Sequence, residues 1–483
     1  MWLLLPLLLV LPLLFLMKKK MDDRSTKKKG LPPSPPKLPI IGNLHQISQL
    51  PHQSLLQLSK KYGPVMLLHL GGIPTVILSS AEAAKEALKV HDLASCSRPP
   101  LASFKRLSYN YKDMAFSPYS DYWREIRKIC VLELFSVKRV QSYKFIREEE
   151  VASLVESISH YSSSSTPIDL SKKLYTLTAS VTFRIAFGKS FRGSDLDNER
   201  FQEVVHEAEA MLGSFSASEY FPFVGWIMDK FSGRFQRLER IFHELDNFFQ
   251  HVIDLHLNPE RKKLEHGDII DVLLKVEREQ IESGAARFTK QNIKAVLLSL
   301  PRTRRVMKKA QDEVRNYVGN KGKVIESDID HLLYLKMIVK ETFRLHPPAT
   351  LLIPRETVSH FKINGYDIYP KMLVQVNAWA IGRDPKYWKN PEEFIPERFI
   401  DNSIDYKGQH FELLPFGAGR RGCPGIYMAT TTIELALANL LYCFDWKLPY
   451  GMNEEDINME EIVGLSLTTD KKTPLNLVPI KLF

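Results

Sequence analysis

A chain of 483 residues is long enough for a large buried core, and its 44% hydrophobic and 25% charged residues exclude wholesale disorder. A formal charge of +10 suits an anionic partner: nucleic acid, a membrane surface or an acidic protein. No zinc-finger spacing, RNP-like aromatic run or basic helix with heptads accompanies that charge, so no nucleic-acid partner is expected.

Trp2 to Met17 is an apolar run broken only by Pro6 and Pro12, and it just spans a thin bilayer core as a helix. Residues 1–17 are therefore predicted to be a transmembrane anchor. The competing reading, a cleaved signal peptide, wants basic residues before the run and small residues at a cleavage site. Here Lys18, Lys19, Lys20, Lys27, Lys28 and Lys29 follow the run, which holds that side in the cytosol. Residues 18–42 read as a basic, then proline-rich linker. Five prolines between Gly30 and Gly42 favour a stiff, extended arm.

Residues 43–483 form the expected folded body. Val65 to Ser79 alternates apolar positions around Gly71 and Gly72 and predicts a hairpin. Helical spacing covers Ala81 to His91, Arg147 to Tyr161, Phe201 to Leu212 and Arg237 to Leu257. Short strands return between Phe361 and Val376, and no internal repeat is visible. These elements predict a mainly α fold with a small β subdomain.

Five short segments carry candidate chemistry. Trp123-Arg-Glu-Ile-Arg127 sets an indole donor and a guanidinium at i, i+4. Ser327-Asp-Ile-Asp330 reads as a capping box opening a helix with Glu341 and Arg344 on one face, stopped by Pro347 and Pro348. Read alone, that i, i+3 pair is a solvated surface bridge. Pro354-Arg355 follows the apolar Leu351-Leu-Ile, and Pro396-Glu-Arg-Phe399 lies downstream.

The strongest segment is Phe416-x-x-Gly419-x-Arg421-x-Cys423-x-Gly425, ahead of an apolar helical run from Met428 to Tyr442. The other cysteines, Cys96, Cys130 and Cys443, form no CxxC pair with it or with each other, against a disulfide framework or structural zinc and for a reducing compartment. A cysteine just before a helix start has its thiolate favoured by unpaired N–H groups and the helix dipole. The glycines at 417, 419, 422 and 425 permit tight turns and a close approach to a flat group.

These motifs, together with the anchor and hinge, resemble the cytochrome P450 family of plant microsomal haem-thiolate monooxygenases. The resemblance implies one catalytic domain holding haem b, with Cys423 as the axial iron ligand. Trp123, Arg127, Arg355 and Arg421 would hold propionates and Gly425 would lie against the macrocycle. Glu341, Arg344 and Arg398 would form a buried structural network.

The resemblance also implies an NADPH-cytochrome P450 reductase as partner, docking near Arg124, Lys128, Lys138 and Arg139. It implies the endoplasmic reticulum membrane with the catalytic domain cytosolic. The substrate would be a small apolar molecule, met by Arg98 to Tyr119, Phe201 to Trp226, Leu351 to Ile353 and Leu465 to Leu467. These apolar loops read equally as ordinary packing, and Phe215, Phe221 and Phe223 within the second range are more often core than pocket.

One family feature is missing. A central helix crossing the domain needs roughly 30 residues for about 45 Å. Thr289 to Leu300 begins it, but Pro301-Arg-Thr-Arg-Arg follows, and Val306 to Val318 matches the next helix. The Ala/Gly-Gly-x-Asp/Glu-Thr-Thr run that delivers protons to dioxygen has no counterpart. Thr303 sits behind a proline in a cationic stretch, so no catalytic residue is assigned. Two alternatives therefore stand beside the monooxygenase: a haem-only or inactive relative, and a reductase-independent haem-thiolate isomerase or dehydratase.

Overall fold

A computed structural model describes residues 30–164, 166–188, 198–213, 216–221, 224–261, 267–282, 308–453, 461–462, 470–471 and 475–482. The expected anchor at 1–17, the linker up to 29, the truncated helix at 289–301, Thr303, Phe215, Phe223 and Leu465 to Leu467 lie outside them.

Val65–Leu70 and Ile73–Leu78 form the hairpin expected around Gly71 and Gly72, pairing Val65 with Leu78 and Leu70 with Ile73. The second strand pairs in parallel with Leu373–Val376, whose other edge takes Arg355–Glu356. The strand region predicted between Phe361 and Val376 is thus divided. Its last four residues join the main sheet, while Phe361–Ile363 and Tyr366–Ile368 make a separate hairpin. Asn364 and Gly365 turn that hairpin with φ of 47° and 79°, which an Asn-Gly pair tolerates.

Helices dominate the rest. Lys144–Ser162, Asn198–Gly213 and Arg234–Leu257 cover the predicted periodic segments and extend them by a few residues. The Ala81 to His91 segment starts as an α-helix at Ala81–Lys85 and widens to a π turn over Glu86–Val90. The Ile426–Cys443 helix is long and apolar enough to cross a membrane, yet 67% of it is buried inside the protein, so it is a core helix. Leu435, Leu440 and Leu441 on it share a core with Ile158, Phe183, Phe249 and Leu335.

Polar groups fix how these helices meet. Arg147 is fully buried and donates to both carboxylate oxygens of Glu326 at 2.8 and 2.9 Å and to the Val140 carbonyl at 2.9 Å. The capping box expected to open the helix bearing Glu341 is corrected. Ser327 to Asp330 lies in a 3-10 turn, Glu326–His331, where the Ile325 N–H donates to Asp328 at 3.0 Å. The helix itself, Leu333–Leu345, begins later and is capped from another helix: the Tyr334 and Leu335 N–H groups donate to Glu313 at 2.7 and 2.9 Å. A carboxylate at a helix N-terminus satisfies orphan donors and opposes the helix dipole, wherever in the chain it originates.

Candidate functional site

Cys423 sits in a loop between the 3-10 turn Gly419–Arg421 and the start of the Ile426–Cys443 helix. Its N–H donates to the Phe416 carbonyl at 3.0 Å, and the Gly422 N–H donates to the Gly419 carbonyl at 3.0 Å, which closes the loop tightly. Gly419 has φ of 69° and lies against the Leu88 carbonyl and the Asp92 carboxylate, leaving no room for a side chain. Protein backbone, then, sets the requirement for glycine there. A Cβ built on Gly425 would come to 3.9 Å from the Cys423 sulfur.

The expectation that the helix start favours the Cys423 thiolate is offset by its surroundings. Burial pushes the thiol up, opposed by the Gly425 N–H and the Arg127 charge. A bound metal ion reverses that balance, because a coordinating thiol loses its proton outright.

Arginines crowd the same region. Arg127 donates to the Gly422 carbonyl at 2.5 Å, and Arg421 to the carbonyls of Cys96 and Ser117 at 2.8 and 2.6 Å. Arg355 donates to Asp92 and to the Ala418 carbonyl, both at 2.8 Å. The indole N–H of Trp123, expected to reach the cofactor, is taken by the Met114 carbonyl at 2.9 Å. Its ring instead supports the Arg421 guanidinium, 3.9 Å from the ring centroid.

Arg98 was expected on a substrate loop. In the structure it is 5% exposed and donates to the carbonyls of Ala115, Ile353 and Pro354 at 2.9, 2.7 and 2.8 Å, clamping two loops together. Sequence reading also missed Asp92 and Asp113. Asp113 accepts from the Ala115 and Phe116 N–H groups, so Asp113-Met-Ala-Phe is an Asx turn that its residue types do signal. Asp92 meets its partners across long stretches of chain and leaves no local mark.

The charges of this cluster do not balance. Arg98, Arg127, Arg355 and Arg421 are all shifted down, chiefly by burial; Arg421, which also feels Arg355 and Arg127, falls to about 9. The carboxylates among them are Asp92 and Asp113, and burial raises Asp113 to about 7. A guanidinium has five N–H donors, more than the carbonyl contacts above use. Such a buried cationic excess beside a cysteine fits a group with two carboxylates and a thiolate-binding metal, which is what haem offers.

The second network is also assembled. Arg344 donates to both oxygens of Glu341 at 2.8 and 2.7 Å, and Arg398 adds a bond of 2.9 Å to the same carboxylate. Glu341 and Arg344 are fully buried, so this pair is no solvated surface bridge.

The last helix carries a further buried acid. Burial raises the Glu434 carboxyl to about 7, opposed by Lys336 and Lys407 and reinforced by Asp330 and Asp405. Below about pH 4 it is protonated in folded and unfolded chains alike and costs nothing. As pH rises, the unfolded chain gives up its proton first, so stability falls until about pH 7 and then levels off. Glu434→Gln is expected to add about 2–3 kcal/mol at pH 8 and almost nothing at pH 4, as read from urea midpoints. An equal gain at both pH values would refute this.

Comparison with known proteins agrees with this geometry. A sequence model of the cytochrome P450 family matches residues 32–300 and 289–475. The chain is 52% identical to cytochrome P450 71B36 of Arabidopsis thaliana, with 93% of each covered, and 54% identical to cytochrome P450 71B34 with the same coverage. It is 53% identical to cytochrome P450 71B37 of that plant over an alignment of 494 positions, covering 98% of each. That alignment is longer than the chain's 483 residues, so the relative carries residues without a counterpart here. The two family-matched stretches overlap at 289–300, where the central helix is short in the sequence. The mainly helical fold, the cysteine loop and these relatives make the chain a member of the cytochrome P450 family, an oxidoreductase of the haem-thiolate monooxygenase class.

Proposed function

We propose that Cys423 is the iron ligand of haem b and that the chain hydroxylates a small apolar, plant-metabolite-like molecule with dioxygen and reductase-supplied electrons. The observation that carries this reading is Cys423 in a loop held by the buried or half-buried guanidiniums of Arg127, Arg355 and Arg421. Thiolate-held haem supplies oxygen activation when bound. The chain's own residues neutralise the propionates, exclude water and hold the sulfur in place.

Residues 43–483 form the catalytic domain in this reading, and its partner is an acidic NADPH-cytochrome P450 reductase. In support, a groove of about 450 Å³ beside the cysteine loop is lined by Arg124, Arg127, Lys128 and Arg420 together with Val131 and Leu132. Basic rims of this kind steer acidic partners.

The domain sits on the endoplasmic reticulum membrane with its site toward the cytosol. Trp226, Met228, Phe231 and Phe235 are 57%, 58%, 87% and 58% exposed, an apolar surface that water disfavours. Ile41, at the end of the linker, accepts from the Gly71 N–H, and Tyr220, which ends the short helix before this surface, accepts from the Gly72 N–H. Met228→Asp with Phe231→Asp is expected to weaken binding of the chain lacking residues 1–29 to neutral lipid vesicles by roughly tenfold or more. Unchanged sedimentation with vesicles would remove this surface from the membrane contact.

A second reading, a relative that holds haem without activating dioxygen, is favoured by the break at 289–300. The deciding experiment is the carbon monoxide difference spectrum of the reduced chain, followed by turnover with NADPH and reductase. A red-shifted band with NADPH-dependent product supports the monooxygenase. A band without product supports the second reading, and peroxide turnover without NADPH would favour the isomerase or dehydratase. No band in soluble protein overturns the haem-thiolate proposal.

A further inference from the structure

We infer that Asp92 is a positioning residue for the cysteine loop, a role that rests on the reading of Cys423 as iron ligand and adds a residue to it. Asp92 opens the short Asp92–Ser95 helix and is 7% exposed. One of its oxygens accepts from Arg355 at 2.8 Å, and the other accepts from the backbone N–H of Arg420 at 2.9 Å, with the Arg420 guanidinium 3.8 Å away. Arg355 in turn donates to the Ala418 carbonyl at 2.8 Å. The Asp92–Arg355 pair therefore grips the loop by a carbonyl at 418 and an N–H at 420, on either side of Gly419.

The same short stretch of chain supplies the rest of the seat. The Leu88 carbonyl lies against Gly419, and the Cys96 carbonyl accepts from Arg421 at 2.8 Å. Residues 88–96 are thus the platform on which residues 418–421 rest, and Cys423 is two residues beyond. Asp92 is the only carboxylate bonding that loop's backbone among the described residues. A charge-assisted bond to a backbone N–H is stronger than a neutral one, and the same carboxylate orients Arg355. Its loss removes this anionic grip on the loop and the partner that orients Arg355, leaving Arg127 and Arg421 to hold the segment. The sulfur then wanders within its pocket, a loss of the fixed geometry on which metal ligation depends.

The test compares amide hydrogen exchange of the full chain, Asp92→Ala and Asp169→Ala. Asp169 caps the Leu170–Phe187 helix through the Lys172 N–H, so its removal costs stability without touching the cysteine loop. In Asp92→Ala, peptides spanning 417–425 are expected to exchange about tenfold faster or more, while Asp169→Ala leaves them at the parental rate. On addition of hemin, Asp92→Ala is expected to lose thiolate-ligated carbon monoxide band in favour of the form without thiolate, and Asp169→Ala is not. If Asp92→Ala fails to fold, Asp92→Asn, which keeps the shape and loses the charge, is read in the same way with a smaller increase expected.

Parental exchange in the 417–425 peptides overturns the inference. Acceleration of the same size in Asp169→Ala also overturns it, because the loop would then report only general stability. If the parent chain gives no thiolate band, the reading of Cys423 has failed, and loop exchange alone still decides whether Asp92 positions this segment.

Discussion

Replacing Cys423 by Ser is expected to remove the red-shifted carbon monoxide band completely while changing the stability of the chain by less than about 1 kcal/mol. The loop is held by groups the substitution leaves in place: the residue 423 N–H bonded to Phe416, and the bonds of Arg127, Arg355 and Arg421 to surrounding carbonyls. Ser is close to Cys in size, so the pocket keeps its packing. A hydroxyl, however, stays protonated where a thiol can ionise on a metal, and the spectral shift requires the thiolate. The outcome is read from the difference spectrum and the thermal midpoint of the same preparations. A retained band in Cys423→Ser would reassign the ligand, since Cys96, Cys130 and Cys443 are the chain's other thiols.

Arg344→Ala is expected to cost about 3–5 kcal/mol, a large share of the net stability of a typical domain. Arg344 is fully buried and, besides both oxygens of Glu341, bonds the carbonyls of Gly382, Pro391 and Glu393 at 2.7, 2.6 and 2.9 Å. Truncation strands those carbonyls and leaves the buried Glu341 carboxylate with Arg398 and the Ile395 N–H as its remaining partners. Arg398→Ala is expected to cost less, because its guanidinium lies nearer the surface. Arg344→Lys should recover little, since an ammonium cannot reproduce the planar fork that meets both oxygens. Urea midpoints of the three variants check this order. A loss below about 1 kcal/mol for Arg344→Ala would place the network among ordinary surface bridges.

Much of the fold was legible because its signals are local. The Val65 to Ser79 alternation and the helical spacing of residues 237–257 depend only on neighbours along the chain, and both elements appear within a few residues of the expected bounds. The spacing of Phe416, Gly419, Arg421 and Cys423 is likewise local, since one loop must both turn and present a sulfur. The shortened central helix is also a local reading, from the rise per residue of a dozen residues, and it lies outside the described residues.

What the sequence could not determine is what each charged side chain meets. Their spacing alone makes Glu341 and Arg344 a surface pair; only the family resemblance implied a buried network, and in the structure Arg344 bonds the carbonyls of Gly382, Pro391 and Glu393. Arg98 falls within the substrate range expected from the family, and nothing local signals that its guanidinium bonds carbonyls over 250 residues away. The Leu333–Leu345 helix is capped by Glu313, and Asp92 finds Arg420, only because the chain packs those segments together. The sequence by itself determined the mainly helical fold with its Val65 to Ser79 hairpin and the motifs that resemble the family, because periodicity and motif spacing are local. Tertiary structure alone decided which charges are buried, what satisfies them and that burial pushes the Cys423 thiol up, because desolvation and long-range pairing exist only once distant segments exclude water together.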